Sequence, residues 1–391
     1  MSSGLYCFNS LGANRLRDRK IPIHPQPFEN ELLSSWFCRM SVKNLSTPST
    51  FFGLHLRDFK AVFSADLDWP NGEFVSAMSE KVGFSKSKIL FMTLKSYEGY
   101  LFESQNRFSS SKPFINPVNF RGGSNRNYGL RYCPYCLREK EYFRKEWRLT
   151  FSTVCPKHKV FLLDRCPECG KPITLQKWRS DKVNFHCWNC GFEFRNAESD
   201  KVPKESKGVE AVSKLYEILD KGYFEFEGRV YYSISYFKVL AHFVKMVYNL
   251  SVRSWNLLKK EENIIGVNLS NQAKGVVYYK VPLKEQYVLF SVVVDILSSR
   301  ENIERFIAVN NLKKAYLTRD FVDYPFWYKE FVDKYTGESY SPILLEVENA
   351  LKYMDRKGIK RTWDNLREIL GVWVEAKKRK DIKRVLNSVK N

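Results

Sequence analysis

The chain has 391 residues, 44% of them apolar and 15% aromatic, which excludes a disordered polypeptide and leaves room for two or three domains. Its formal net charge of +21 calls for an anionic partner, either nucleic acid or, less often, a membrane surface. Met1–Ser10 has neither the basic start nor the long apolar stretch of a secretory leader, and the most apolar run, Tyr287–Leu297, is too short for a bilayer and contains Asp295. A cytoplasmic, nucleoid-associated setting without a membrane partner is therefore expected.

In chain order, residues 1–24 are polar and basic (Arg15, Arg17, Arg19, Lys20) and read as a weakly anchored arm. Residues 25–105 read as an N-terminal helical domain. Pro25 and Pro27 keep the approach extended, Glu29 and Glu31 suit the positive end of a starting helix, and Leu32, Leu33, Trp36, Phe37 and Met40 repeat with helical period. The pattern predicts one apolar face turned to a core. Further helices are expected over 49–59, 72–82 and 85–93, the last opening on a serine cap. This spacing is compatible with a helix-turn-helix-like bundle. Ser109-Ser-Ser111, Pro113, Pro117 and Gly122-Gly123 mark a linker over 106–130.

Residues 131–195 hold the strongest chemical signal. Eight residues fall into four pairs with two residues between partners: Cys133/Cys136, Cys155/His158, Cys166/Cys169 and Cys187/Cys190. One tight turn at this spacing presents two side chains to the same ion. The pattern therefore implies two closed tetrahedral sites of the kind that Zn²⁺ occupies in structural roles, two ions per chain. Glycine follows Cys169 and Cys190, where a left-handed backbone turns amides toward the sulfurs, and proline after Cys133, Cys155 and Cys166 stiffens the turns. Sequential pairing closes ribbon-sized loops; interleaved pairing and a disulfide framework are the alternatives. Cys7 and Cys38 lie off the pairs, and His186 beside Cys187 competes as a ligand. Across 131–195, fourteen Lys and Arg stand against seven Asp and Glu. Arg144, Lys145, Arg148, Lys177, Arg179 and Lys182 alternate with Trp147, Trp178, Phe185 and Trp188, a mixture suited to phosphate contacts and base stacking. In the competing reading the aromatics cover the small metal cores and the charges are solvated.

A second linker is expected over 196–208, then a helical C-terminal domain over 209–391. Helices are predicted over 209–219, 235–248 and 287–299, a short strand over 228–233, and a loop over 259–276. Gly358 and Thr362 mark a turn and a cap, so 350–391 is a candidate helix-turn-helix with Lys360 and Arg361 as nucleic-acid contacts; an ordinary surface helix is the alternative. The fold class expected is mainly α with small zinc-ribbon modules. No phosphate-binding loop, HExxH helix or deaminase motif is present, and four protein ligands leave no open metal position, so no catalytic residues and no organic cofactor are expected.

The block Pro25-x-Pro27-x-Glu29-x-Glu31-Leu-Leu-Ser-Ser-Trp36-Phe-x-Arg39, with Asn44 and Phe51-Phe52, resembles the N-terminal signature of the TniQ/TnsD family. Cys133-Pro-x-Cys136-Leu, Trp147-Arg148-Leu, Cys155-Pro-x-His158 and Cys166-Pro-x-Cys169-Gly are similar to its zinc region. The resemblance covers about residues 22–195. It implies a target-site selector of transposons, including CRISPR-associated ones, without transposase activity of its own. Such a selector binds DNA directly, or a Cascade complex with its guide RNA, often as a homodimer, and recruits a TnsC-type AAA+ ATPase. A zinc-ribbon transcription regulator and a DNA-processing enzyme are the alternatives.

Overall fold

The computed structural model describes residues 20–103, 114–118, 128–178, 185–250, 255–269, 281–321, 323–336, 342 and 344–370. The chain divides into two compact units, 1–311 and 312–391. Among the described residues it is mainly helical, with two small antiparallel ribbons. No described helix is long and apolar enough to cross a membrane.

The first unit begins with α1 (Leu33–Lys43), α2 (Pro48–His55), α3 (Lys60–Ala65), α4 (Gly72–Val82) and α5 (Lys86–Phe91). Their caps follow the sequence: Thr47, Asn71 and Ser85 each accept a backbone N–H of the helix they open. The predicted helix over 49–59 breaks at His55 and resumes as a short 3₁₀ turn at Arg57–Phe59. Leu33, Trp36, Phe37 and Met40 join Phe51, Phe52, Phe74 and Met78 in one apolar core. The expected one-faced helix is buried on its other side too. Ser35 Oγ accepts the Phe143 amide at 2.9 Å and the Cys38 thiol meets the Leu175 carbonyl at 3.3 Å, so α1 lies between two layers.

Next come α6 (Pro134–Glu139) and the ribbon β1 (Val154–Cys155) with β2 (Val160–Phe161), in which Cys155 faces Val160. Then follow α7 (Gly208–Lys221), the hairpin β3 (Tyr223–Phe226) and β4 (Arg229–Tyr232), α8 (Ser233–Leu250), α9 (Asn256–Ile265), α10 (Leu283–Ile296) and α11 (Arg300–Val309). Two expectations need correction. The polar stretch 196–208 does not run free of the ribbon: Phe161 N–H donates to the Asp200 carbonyl and Val202 N–H to the Lys159 carbonyl, both at 2.9 Å, so it is tied to β2 by an isolated antiparallel bridge at Lys201. The described part of 106–130 is pinned as well, with Asn116 N–H on the Arg148 carbonyl at 2.8 Å and Thr150 N–H on the Phe114 carbonyl at 2.7 Å; the rest lies outside the described residues. Helices after 208 close directly on the ribbon region. Phe290 on the almost wholly buried α10 meets Phe114 and Phe151, Tyr287 meets Phe161, and Gln286 Oε1 accepts from Arg131 Nη2.

A third difference lies in α9, whose Lys-Lys-Glu-Glu run reads as loop in sequence. Glu261 is its anchor: fully buried, it accepts Ser206 Oγ at 2.5 Å and the Lys207 amide at 2.8 Å, which fixes the start of α7. Residues 270–276 of that predicted loop lie outside the described residues.

The second unit holds α12 (Lys314–Thr318), α13 (Phe326–Thr336), α14 (Leu344–Arg356) and α15 (Trp363–Leu370). Val347, Ala350, Leu351 and Met354 of α14 pack with Leu366 of α15 across a turn in which Gly358 has φ +67°, and Thr362 Oγ1 accepts the Asn365 amide. Two helices packed across a short turn therefore occupy 344–370; residues 371–391 of the helix-turn-helix expected over 350–391 lie outside the described residues.

Candidate metal centres and nucleic-acid interface

The four pairs converge in sequence order into two clusters, Cys133/Cys136/Cys155/His158 and Cys166/Cys169/Cys187/Cys190, with the ligand atoms of each within 4.8 Å of one another. Each is assembled from two turns. In the first cluster Cys133 caps α6, Cys136 lies one turn on, Cys155 ends β1 and His158 sits in the β1–β2 turn. The backbone after the second ligand is left-handed at Gly170 and Gly191, as the sequence implies, and also at Lys159 (φ +53°), which makes the same turn without glycine.

The geometry suits a tetrahedral ion. Cys136 and Cys155 sulfurs lie 3.6 Å apart, and His158 Nδ1 lies 3.4 Å from both and 3.5 Å from the Cys133 sulfur. In the second cluster Cys166 and Cys190 sulfurs are 3.6 Å apart, and those of Cys169 and Cys187 3.5 Å. Metal–sulfur bonds of about 2.3 Å around a tetrahedral centre require sulfur–sulfur edges of about 3.8 Å, so slight relaxation of either cluster admits Zn²⁺. His158 presents Nδ1 to the sulfurs and its Nε2 to the Glu139 carboxylate at 3.1 Å. That carboxylate also takes Lys157 Nζ at 2.5 Å, and a partner of this kind fixes ring orientation and raises ligand basicity. In the second cluster burial would raise the Cys169 thiol, but the Lys171 amide and the Cys187 and Cys190 side chains bring it down to about 7. These are two clusters able to hold metal ions, compatible with two zinc sites. His186 belongs to neither: it is buried with its ring stacked on Trp178 at 5.5 Å.

The basic residues divide sharply. Arg148 is 1% exposed and is committed to the protein's own acids, reaching Asp66 at 2.8 Å, Asp68 at 2.9 Å and the Asn116 carbonyl at 3.1 Å. Asp68 in turn accepts the Ser34 amide at 2.7 Å and Ser34 Oγ at 2.9 Å. Lys145 is buried too, with Nζ on the Phe91 carbonyl at 2.7 Å and Ser96 Oγ at 3.0 Å, and burial pushes its ammonium down to about 8. These two expected nucleic-acid contacts are corrected: both clamp the helical layer to the ribbon layer. Arg144 is half-buried, 3.8 Å from Glu146. Lys177 is exposed and holds its Nζ 4.4 Å above the Trp188 ring. Arg179 and Lys182 lie outside the described residues. Lys360 is exposed, whereas Arg361 pairs with Asp355. Trp147, Trp178 and Phe185 are buried, as the competing reading of the aromatics held.

The Pro25–Arg39 block has its own internal logic. Buried Glu31 accepts Arg39 Nε and Nη2, both at 2.8 Å, Ser35 Oγ and the Phe28 amide, both at 2.9 Å, while Trp36 Nε1 donates to the Pro25 carbonyl at 2.7 Å. Asn44 Nδ2 ties the Ile23 carbonyl to the end of α1. The motif is a clamp that folds the extended entry onto α1. Residues 22–162 match the model of the TniQ family, a span that runs from this clamp through the first metal cluster. The chain carries a TniQ domain over these residues. A comparison with curated proteins finds no match. The TniQ domain carries a transposition-associated function, and the second cluster and residues 163–391 lie outside its match.

Glu139, Asp66 and Asp68 are site residues that sequence reasoning missed. For Glu139 a signal existed, because it follows Cys136 by three residues on a helix and so lies on the ligand's own face. Asp66 and Asp68 had none, since their partner Arg148 is eighty residues away.

Proposed function

We propose that the chain is a target-selection adaptor for transposition that contacts target DNA and recruits a TnsC-type AAA+ ATPase. Its two metal clusters take structural Zn²⁺, and cleavage and strand transfer belong to another protein. The observation carrying this reading is the continuous TniQ match from the entry clamp to the first metal cluster, two parts that Glu31, Ser35 and Arg148 join into one layered body. An adaptor needs such a rigid platform more than it needs a reactive cleft.

Direct DNA contact is favoured over Cascade-guided targeting by the charge of +21 and by the second unit. On α14, Lys352, Tyr353 and Arg356 are exposed, and Lys357 and Lys360 continue into the turn before α15. A helix–turn–helix with cations on one side of its turn suits phosphate contacts. The purified chain is expected to bind duplex DNA with a steep salt dependence, and Lys352→Ala/Arg356→Ala/Lys360→Ala is expected to make the slope shallower. The chain is also expected to retain the AAA+ ATPase in a pull-down. Binding only in the presence of Cascade and guide RNA would reverse the preference for direct contact. DNA binding with no affinity for the ATPase would favour a regulator over an adaptor.

A further inference from the structure

Of the eight ligands in the two clusters, Cys190 alone is exposed; Cys169 is half-buried, and Cys166 and Cys187 are buried. In the first cluster all three sulfurs are buried, and the one partly accessible ligand is the imidazole of His158, backed by Glu139. A thiolate is oxidised where an oxidant can reach it, and an imidazole forms no disulfide. The second cluster therefore offers a reactive sulfur to solvent and the first does not.

Bonds that need no ion hold these sulfurs together. In the first turn Cys166 N–H donates to the Lys171 carbonyl and Gly170 N–H to the Cys166 carbonyl, both at 2.9 Å. In the second, Cys187 N–H donates to the Phe192 carbonyl at 2.7 Å and Gly191 N–H to the Cys187 carbonyl at 2.9 Å. Antiparallel bridges Arg165/Pro172 and His186/Glu193 close the two turns. Trp188 ties one turn to the other, its Nε1 donating to the Pro172 carbonyl at 3.2 Å. The facing sulfurs come from different turns: Cys190 lies 3.6 Å from Cys166, and Cys169 lies 3.5 Å from Cys187. An S–S bond is about 2.05 Å long, so the gap at Cys190 closes with a side-chain shift of roughly 1.5 Å.

We propose that Cys190 is a site of oxidation by hydroperoxides, with Cys166 as its resolving thiol, so that the second cluster gives up its ion reversibly while the first keeps its own; this rests on the zinc reading above. The Cys190 thiolate attacks one peroxide oxygen, the O–O bond breaks, the sulfur keeps that oxygen as a sulfenic acid, and hydroxide leaves. The Cys166 thiolate then attacks the Cys190 sulfur, an S–S bond forms, and a second hydroxide leaves. Two thiolates have lost two electrons to the peroxide, and two protons from solvent turn both hydroxides into water. Cys169 and Cys187 remain, too few ligands for a closed tetrahedral site. A dithiol reverses the change by exchange.

The test uses the full chain loaded with two zinc ions, in thiol-free buffer, titrated with hydrogen peroxide. Zinc release is read with a chromogenic chelator, and disulfides are mapped by peptide mass. One ion per chain is expected to leave, in step with a Cys166–Cys190 disulfide and with the main thermal transition kept. Dithiothreitol and zinc should restore the starting state. Cys190→His keeps four ligands and is expected to slow release about tenfold or more at equal peroxide. Should that variant fail to hold its ion, the disulfide mapped in the unchanged chain decides. Release of both ions together, release without the Cys166–Cys190 disulfide, or equally fast release from a Cys190→His chain holding two ions overturns the oxidation site while the zinc reading stands. If the unchanged chain never holds two zinc ions, both fall.

Discussion

The two metal clusters use the same two-turn construction in opposite surroundings. Cys133, Cys136 and Cys155 are buried in the layer that also holds Tyr132 and Phe143, the His158 ligand is held from behind by Glu139, and the TniQ match runs through all four. In the second cluster Cys166 and Cys187 are buried, but Cys169 is half-buried and Cys190 exposed, and the TniQ match ends before it. The first cluster is therefore a core element, in which a bound ion would stand in for apolar mass. The second is a surface cluster in which an ion would hold a local turn, so loss of a ligand has different consequences at the two sites.

The largest effect is expected at the first cluster. Cys136→Ser removes a buried ligand, and because binding of a structural ion is largely folding free energy, on the order of 10 kcal/mol in small zinc modules, the first unit should lose its cooperative unfolding transition. A full transition without metal would break the distinction between the clusters. Arg148→Ala comes next. It leaves Asp66 and Asp68 without their cation and should cost about 3–5 kcal/mol in a denaturant titration, comparable to losing a buried ion pair. Unchanged DNA affinity of any folded Arg148→Ala protein would sharpen its assignment to the interior. Cys190→Ser should release the second ion while the main transition persists, with new protease cuts confined to about residues 166–192. The smallest effect is expected from Glu139→Gln: the fold is kept, and the affinity of the first site for metal falls about 10–100-fold in a chelator competition.

These contrasts mark what a sequence can disclose. The two clusters were legible because the geometry of such turns is local: two residues between partners fix the turn, and glycine at 170 and 191 fixes its hand. The helix over 72–82 and the caps at Ser85 and Thr362 were legible for the same reason. Lys145 and Arg148 misled because a Lys or Arg beside aromatics looks alike on a DNA surface and between two layers. The difference lies in Asp66 and Asp68, brought near only by the fold. Strand β3 was hidden by brevity, though its exposed–buried alternation of Tyr-Phe-Glu-Phe before Glu227-Gly228 is a hairpin signal. The stretch 196–208 looked like a linker because its contacts are main-chain bonds to β2, which composition does not encode.

Native mass spectrometry of the purified chain during stepwise chelation tests the account most directly. The account predicts two zinc ions per chain at the start, the first lost from the second cluster with the main fold retained, and the second lost together with cooperative unfolding. One ion or none at the start, or loss of both with the fold intact, would contradict it.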